Sequence, residues 1–224
     1  MGQHIAYCLR VCCAYYHTPF PAMSNQVVLV DTHDAPVGVA DKLEAHQEGW
    51  LHRAFSVFVF DADGRLLLQQ RNSEKYHSGG LWSNTCCSHP FPEEPVAEAA
   101  QRRLREEMGF QCPLDPAFRF TYRAVLSDTM TEHEYDHVLI GQAAPTVVPN
   151  PDEVQDWTWV APAALRQDVH AHPEQYTAWF KIVLDRVLEH AGTVYPDAHL
   201  LHENATEPPL STATPIQVVQ EERV

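Results

Sequence analysis

The chain has 224 residues, enough for one domain with a sizeable core and short for two. Its 15 Lys and Arg face 30 Asp and Glu, and a net charge of -15 disfavours nucleic acid and anionic membrane as partners while leaving room for a local basic cluster. No long apolar run announces a membrane span, and the six cysteines, with two adjacent pairs and no C-x-x-C, argue against a disulfide framework or zinc ribbon and for reduced cytoplasmic thiols.

In chain order, residues 1–22 lack a basic n-region and a clear cleavage site, and Ala6 spoils a myristoylation pattern. They are expected to form a loosely ordered extension, with the domain starting near Met23. "QVVLVD" is a β-branched run ending in turn formers, hence a strand. "AFSVFVF", "DADG" and "RLLLQQR" give a hairpin signal: two strand-like runs joined by an Asp/Gly turn. "EPVAEAAQRRLREEMG" is the clearest helix, with Pro95 in its first turn and Gly109 at its stop. Val96, Ala100, Leu104 and Met108 recur every four residues as its buried stripe. "HVLIGQA" and "WTWV" read as strands, and "EQYTAWFKIVLDRVLEHAG" as a second helix. From 203 to 224, Pro, Thr and Glu leave little to bury, and a disordered tail is expected. Many strands with few helices suggest a mixed sheet sandwiched by helices.

"NTCCSHP" places two cysteines beside His89. A thiol near an imidazole can be a nucleophilic pair, half of a metal site, or packing. Taken alone, each histidine is more often a satisfied polar group. The set is more telling. Glu132 and Glu134 are two apart, so in a strand both face one side. With His46, His52 and His89 they would make a five-ligand, near-octahedral divalent site with one position free. His133 and His137 fall off this phase and are expected at the surface. Lys42, Arg71, Lys75 and Arg103 could form a local anion site in an acidic chain.

The stretch from Ser88 to Phe110 resembles the Nudix box, whose helix presents glutamates to divalent metals on a diphosphate. Ser88 replaces the opening glycine of that box, and Arg103 replaces the glutamate after its arginine, while Glu94, Arg102, Glu106 and Glu107 remain. With "DKLEAH", "LHRAFSVFVF", "FTYRA", "EHEYDHVLIG" and "TAWF", it resembles the type I isopentenyl-diphosphate isomerases, Nudix-fold enzymes, over Asn25 to Gly192.

The resemblance implies an α/β (α+β) fold: a Nudix-like mixed sheet between helices, one domain over 23–202. It implies interconversion of isopentenyl and dimethylallyl diphosphates by protonation and deprotonation, with a Nudix-type diphosphate hydrolase as the alternative. It makes Cys87 the catalytic thiol, Glu134 its partner and Tyr122 their support, and it leaves Cys86 to packing. His46, His52, His89, Glu132 and Glu134 become ligands of Mn2+, Mg2+ or Zn2+, with Cys87 counted among the groups at the metals. Glu107 becomes the ligand of a Mg2+ riding on the diphosphate. Lys42, Arg71, Lys75 and Arg103 become diphosphate contacts, and Trp179 a wall beside the hydrocarbon. A cytoplasmic monomer with a small isoprenoid diphosphate as its partner is expected, without nucleic acid or membrane.

Overall fold

The computed structural model describes residues 25–195 and the backbone of 216–223; the extension expected over 1–22 lies outside them. Strands β1 (Gln26–Val30) and β2 (Pro36–Asp41) form an antiparallel pair, followed by helix α1 (Lys42–Glu48), β3 (His52–Phe60) and β4 (Leu66–Arg71). Short strands β5 (Trp82–Ser83) and β6 (Cys86–Ser88) lead to α2 (Val96–Met108). Then come β7 (Asp115–Ser127), β8 (Met130–Gln142), β9 (Val154–Val160), α3 (Pro162–Ala171) and α4 (Ala178–Val194). Backbone pairing adds β10 (Ile216–Arg223) antiparallel to β7.

The main sheet runs β10-β7-β8-β3-β1-β2, with β4, β5, β6 and β9 branching off that path. Its centre is the parallel β3–β8 pair, from His52 opposite Glu134 to Phe60 opposite Gln142. Such a centre is covered on both faces, so β3 reads as an almost unbroken apolar run. Phe55, Val57 and Val59 pack toward Leu104 and Met108 of α2, while Phe58 and Phe60 pack toward Phe180 and Leu184 of α4. Each such buried side chain stabilises the fold by about 1.5–3 kcal/mol. The described helices include none long and apolar enough to cross a membrane.

Three expectations are corrected. β3 and β4 are adjacent in sequence but share one paired position, Phe60 with Leu66. β4 instead pairs with β9 over six positions, because residues beyond the turn offer a longer partner. The tail expected to be disordered includes β10, whose "IQVVQ" run meets the free edge of β7. The second helix begins at Ala178; Pro173–Gln175 form a separate 3-10 turn before it. The stop of α2 is as expected: Gly109 sits at φ 79°, and a Cβ there would come 2.2 Å from the Val148 carbonyl oxygen.

Candidate active site

Five elements, α1, β3, β6, β7 and β8, converge at the His52–Glu134 end of the β3–β8 pair. Asp41 caps α1, accepting from the Leu43 and Glu44 amides, and this short helix carries Lys42 and His46 one turn apart. The parallel register sets His52 beside Glu134, and the antiparallel β7–β8 register sets Tyr122 opposite Glu134. β6 pairs Cys87 with Ser56 on β3 and delivers His89 just past its end.

The carbonyls of Lys42 and Trp50 lie 2.6 and 2.8 Å from Nδ1 of His46 and His52. Both rings therefore carry their proton on Nδ1 and turn a bare Nε2 inward, a tautomer assigned from the partners. His52 Nε2 lies 3.2 Å from His89 Nε2, which lies 3.0 Å from Glu134 Oε1. His46 Nε2 is buried without a hydrogen-bond partner. Burial pushes His46 down to about 4 and His89 down to about 3, so both are neutral at neutral pH, the form that binds metal. Lone pairs outnumber protons in this space, and ligand atoms of His46, His52, His89 and Glu134 all fall within 4.8 Å of one another. A divalent cation fits such a donor set.

The Tyr122 hydroxyl faces Oε2 of both carboxylates, at 2.9 Å for Glu132 and 2.7 Å for Glu134. Burial and the neighbouring Glu134 charge raise Glu132 well above the usual carboxylate range. Burial works the same way on Glu134, but the adjacent His52 and His89 rings, His89 through a 3.0 Å hydrogen bond from Nε2, hold it well below. Two buried carboxylates this close need a proton or a cation between them.

Cys87, counted from sequence with the metal groups, belongs to neither cluster of potential ligands. The pleat of β6 sets its sulfur 3.9 Å from Arg71 Nη1. Burial pushes its thiol up to about 12, against the pull of Arg71. Cys86 is buried in the core under α2. Trp179 donates from Nε1 to Asn84 Oδ1 at 3.1 Å, which fixes its ring, and the Arg71 guanidinium lies 5.3 Å from the ring centre.

Lys42, Arg71, Lys75 and Arg103 all line one cleft with Cys87, Glu107, Glu132, Glu134 and Trp179. Burial and the other three cations lower the Lys42 ammonium, so their charges do converge. Arg103 donates to Glu107 at 2.6 Å, Glu106 at 2.8 Å and Glu153 at 3.0 Å, and Lys75 also pairs with Glu153. Glu107 further accepts from Gln69 at 3.0 Å. The box residues Glu94 and Arg102 hold each other through two bonds of 2.7 and 2.8 Å away from this cleft lining.

Sequence reasoning missed His77 and Glu153. His77 groups with His46 and Glu132 within 4.8 Å. Both missed residues sit in loops, where no periodicity marks a facing side chain. His133 and His137, expected at the surface, are half-buried: one faces the Gly49 carbonyl at 3.0 Å, the other Asp34 at 2.9 Å.

The NUDIX domain family matches residues 50–180. Isopentenyl-diphosphate Delta-isomerase 1 of Aromatoleum aromaticum is 55% identical over 166 residues, 74% of this chain and 94% of that protein. The isomerase of Burkholderia multivorans is 49% identical over 164 residues, 73% of this chain and 93% of its own length. Among solved structures, DR0079 from Deinococcus radiodurans superposes with a TM-score of 0.60 at 18% identity, covering 72% of this chain and 98% of that one, a likeness of fold. Fold, box helix and relatives agree: the chain belongs to the NUDIX family and, within it, to the isopentenyl-diphosphate Delta-isomerases.

Proposed function

We propose that the protein interconverts isopentenyl diphosphate and dimethylallyl diphosphate in isoprenoid synthesis. The observation that carries this reading is that two proton-carrying groups, Cys87 and Glu134, share one cleft with a fixed indole and four cations. The double bond of a five-carbon diphosphate moves when the terminal alkene carbon gains a proton and the carbon on the other side of the cationic centre loses one; the diphosphate is unchanged. One group must begin protonated and the other bare. Cys87 as a neutral thiol and Glu134 as a carboxylate meet that requirement. Tyr122, donating to Glu134 at 2.7 Å, holds its carboxylate in place. Positive charge develops on the hydrocarbon between the two transfers. The Trp179 face supports it, by about 2 kcal/mol when desolvated.

His46, His52, His89, Glu132 and Glu134 are the residues to hold a divalent metal, Mn2+, Mg2+ or Zn2+. Bound there, it would offset the carboxylate charge and keep Glu134 oriented. Glu107, beside Arg103, suits a Mg2+ brought in on the diphosphate, with Lys42, Arg71, Lys75 and Arg103 taking the phosphate oxygens. Arg103 also speaks against hydrolysis, since a cation stands where the box keeps a glutamate.

The direct test is incubation of the purified chain with isopentenyl diphosphate, Mg2+ and Mn2+, with products followed by NMR. Dimethylallyl diphosphate at equilibrium with its isomer is expected. Released phosphate without isomerised product contradicts the reading and favours a hydrolase.

A further inference from the structure

Glu132 and His46 have a neighbour that the five-residue set leaves out. Ligand atoms of His46, His77 and Glu132 lie within 4.8 Å of one another, and so do those of His46, His52, His89 and Glu134. His46 is in both groups, yet it has one nitrogen to offer, because Nδ1 faces the Lys42 carbonyl. A single Nε2 serves a single ion, so the two groups are two sides of one centre. Tyr122 turns Glu132 by bonding Oε2, which leaves Oε1 facing His77 Nδ1 at 3.6 Å. That separation is too long for a hydrogen bond. Ser78 Oγ, at 3.3 Å, is the other polar neighbour of that nitrogen. The His77 side chain is 8% exposed, stacked on His46 with ring centres 5.4 Å apart and edge-on to Tyr76 and Trp179.

We propose that His77 is a sixth protein donor of the metal centre, a fourth histidine binding through Nδ1 on the side of Glu132. The inference rests on the proposed metal site and completes it. A near-octahedral first-row ion accepts six nitrogen and oxygen donors, and the five-residue set leaves one position open. Donors sit about 2.0–2.2 Å from such an ion, so opposite donors are about 4.3 Å apart. The six donor atoms do not all lie within 4.8 Å of one another, so sharing one ion requires these side chains to draw in around it. The placement also joins the metal to the anion contacts. Arg71 donates to the carbonyl oxygens of His77 and Ser78 at 3.3 and 3.2 Å, so a metal held by His77 steadies the backbone that aims Arg71.

The test loads the full chain and its His77→Ala variant with Mn2+. Affinity is read by calorimetry, and coordinated histidine nitrogens are counted by pulsed EPR. We expect four such nitrogens in the unaltered protein and three in the variant, with Mn2+ bound at least about 10-fold more weakly by the variant. The count on the unaltered protein stands even if the variant folds poorly. Three nitrogens there, with affinity untouched by H77A, overturns the sixth donor and leaves the five-residue centre standing. A chain that takes up no Mn2+ overturns both.

Discussion

On one wall of the cleft, His46, His52, His89 and Glu134 crowd their lone pairs together, and His46 Nε2 has no partner among the described residues. On the other wall, Lys75 and Arg103 already hold Glu153, and Arg103 also holds Glu106 and Glu107. The first wall could hold an added cation. On the second wall the two cations are already paired, so a diphosphate bound as proposed would displace carboxylates from Lys75 and Arg103. These ion pairs are partly exposed, with side-chain accessibilities near one fifth for Lys75, Arg103 and Glu153. Such pairs are weak, and a multiply charged diphosphate can exchange with them. On the proposed reading, one wall retains an ion and the other trades one.

Removing the retained ion should have the largest effect. Verified metal-free protein should lose turnover to background and recover it with added divalent ions; full activity without metal would erase the contrast between the walls. Next come the adjacent cysteines. Cys87→Ala should lower kcat by about 10²–10⁴-fold, the range for losing a proton-transfer group. Cys86→Ala should act mainly on stability, since Cys86 lies in the core under α2. Equal catalytic losses would show that β6 does not separate the two thiols.

Glu153→Gln sharpens the second wall. Freeing Lys75 and loosening Arg103, which keeps Glu106 and Glu107, should lower KM by about 3-fold with kcat unchanged, in keeping with a partly exposed pair worth up to about 1 kcal/mol. A raised KM would mean that Glu153 positions the cations instead of competing for them.

The smallest effect concerns Asp34, away from both walls. It accepts from Arg53 at 2.6 Å and faces His137 Nε2 at 2.9 Å. Burial works to raise its pKa, but these two partners hold it below the ordinary 3.8. A depressed carboxyl stabilises the fold above its unfolded value, and that stabilisation fades as pH falls through the folded value. Asp34→Asn should therefore lower Tm at neutral pH, and the difference from the unaltered chain should shrink as pH falls through 3.8. A Tm gap independent of pH would remove the charge from the explanation.

Much of this site could be read from the sequence where spacing carries geometry. The two-residue step from Glu132 to Glu134 is the pleat of β8, and both carboxylates reach Tyr122. The four-residue stripe of α2 places Leu104 and Met108 in the core, and the same helix presents Arg103 and Glu107 to the cleft. Long-range partner choice could not be read. The Asp/Gly turn after β3 suggests a hairpin, yet β4 pairs with β9, some ninety residues on. Lys42 and His46 ride a helix of seven residues, too short to show a period. His77 and Glu153 lie in loops, and only folding brings them to the cleft.

The most direct test of the central claim is turnover of isopentenyl diphosphate in heavy water, followed by NMR and mass spectrometry. Proton gain at one carbon and loss at another requires solvent hydrogen to enter the hydrocarbon. The account predicts dimethylallyl diphosphate carrying deuterium in a methyl group, with the diphosphate intact. Isomerised product without deuterium would contradict it, because Cys87 and Glu134 offer no route for an internal hydrogen shift.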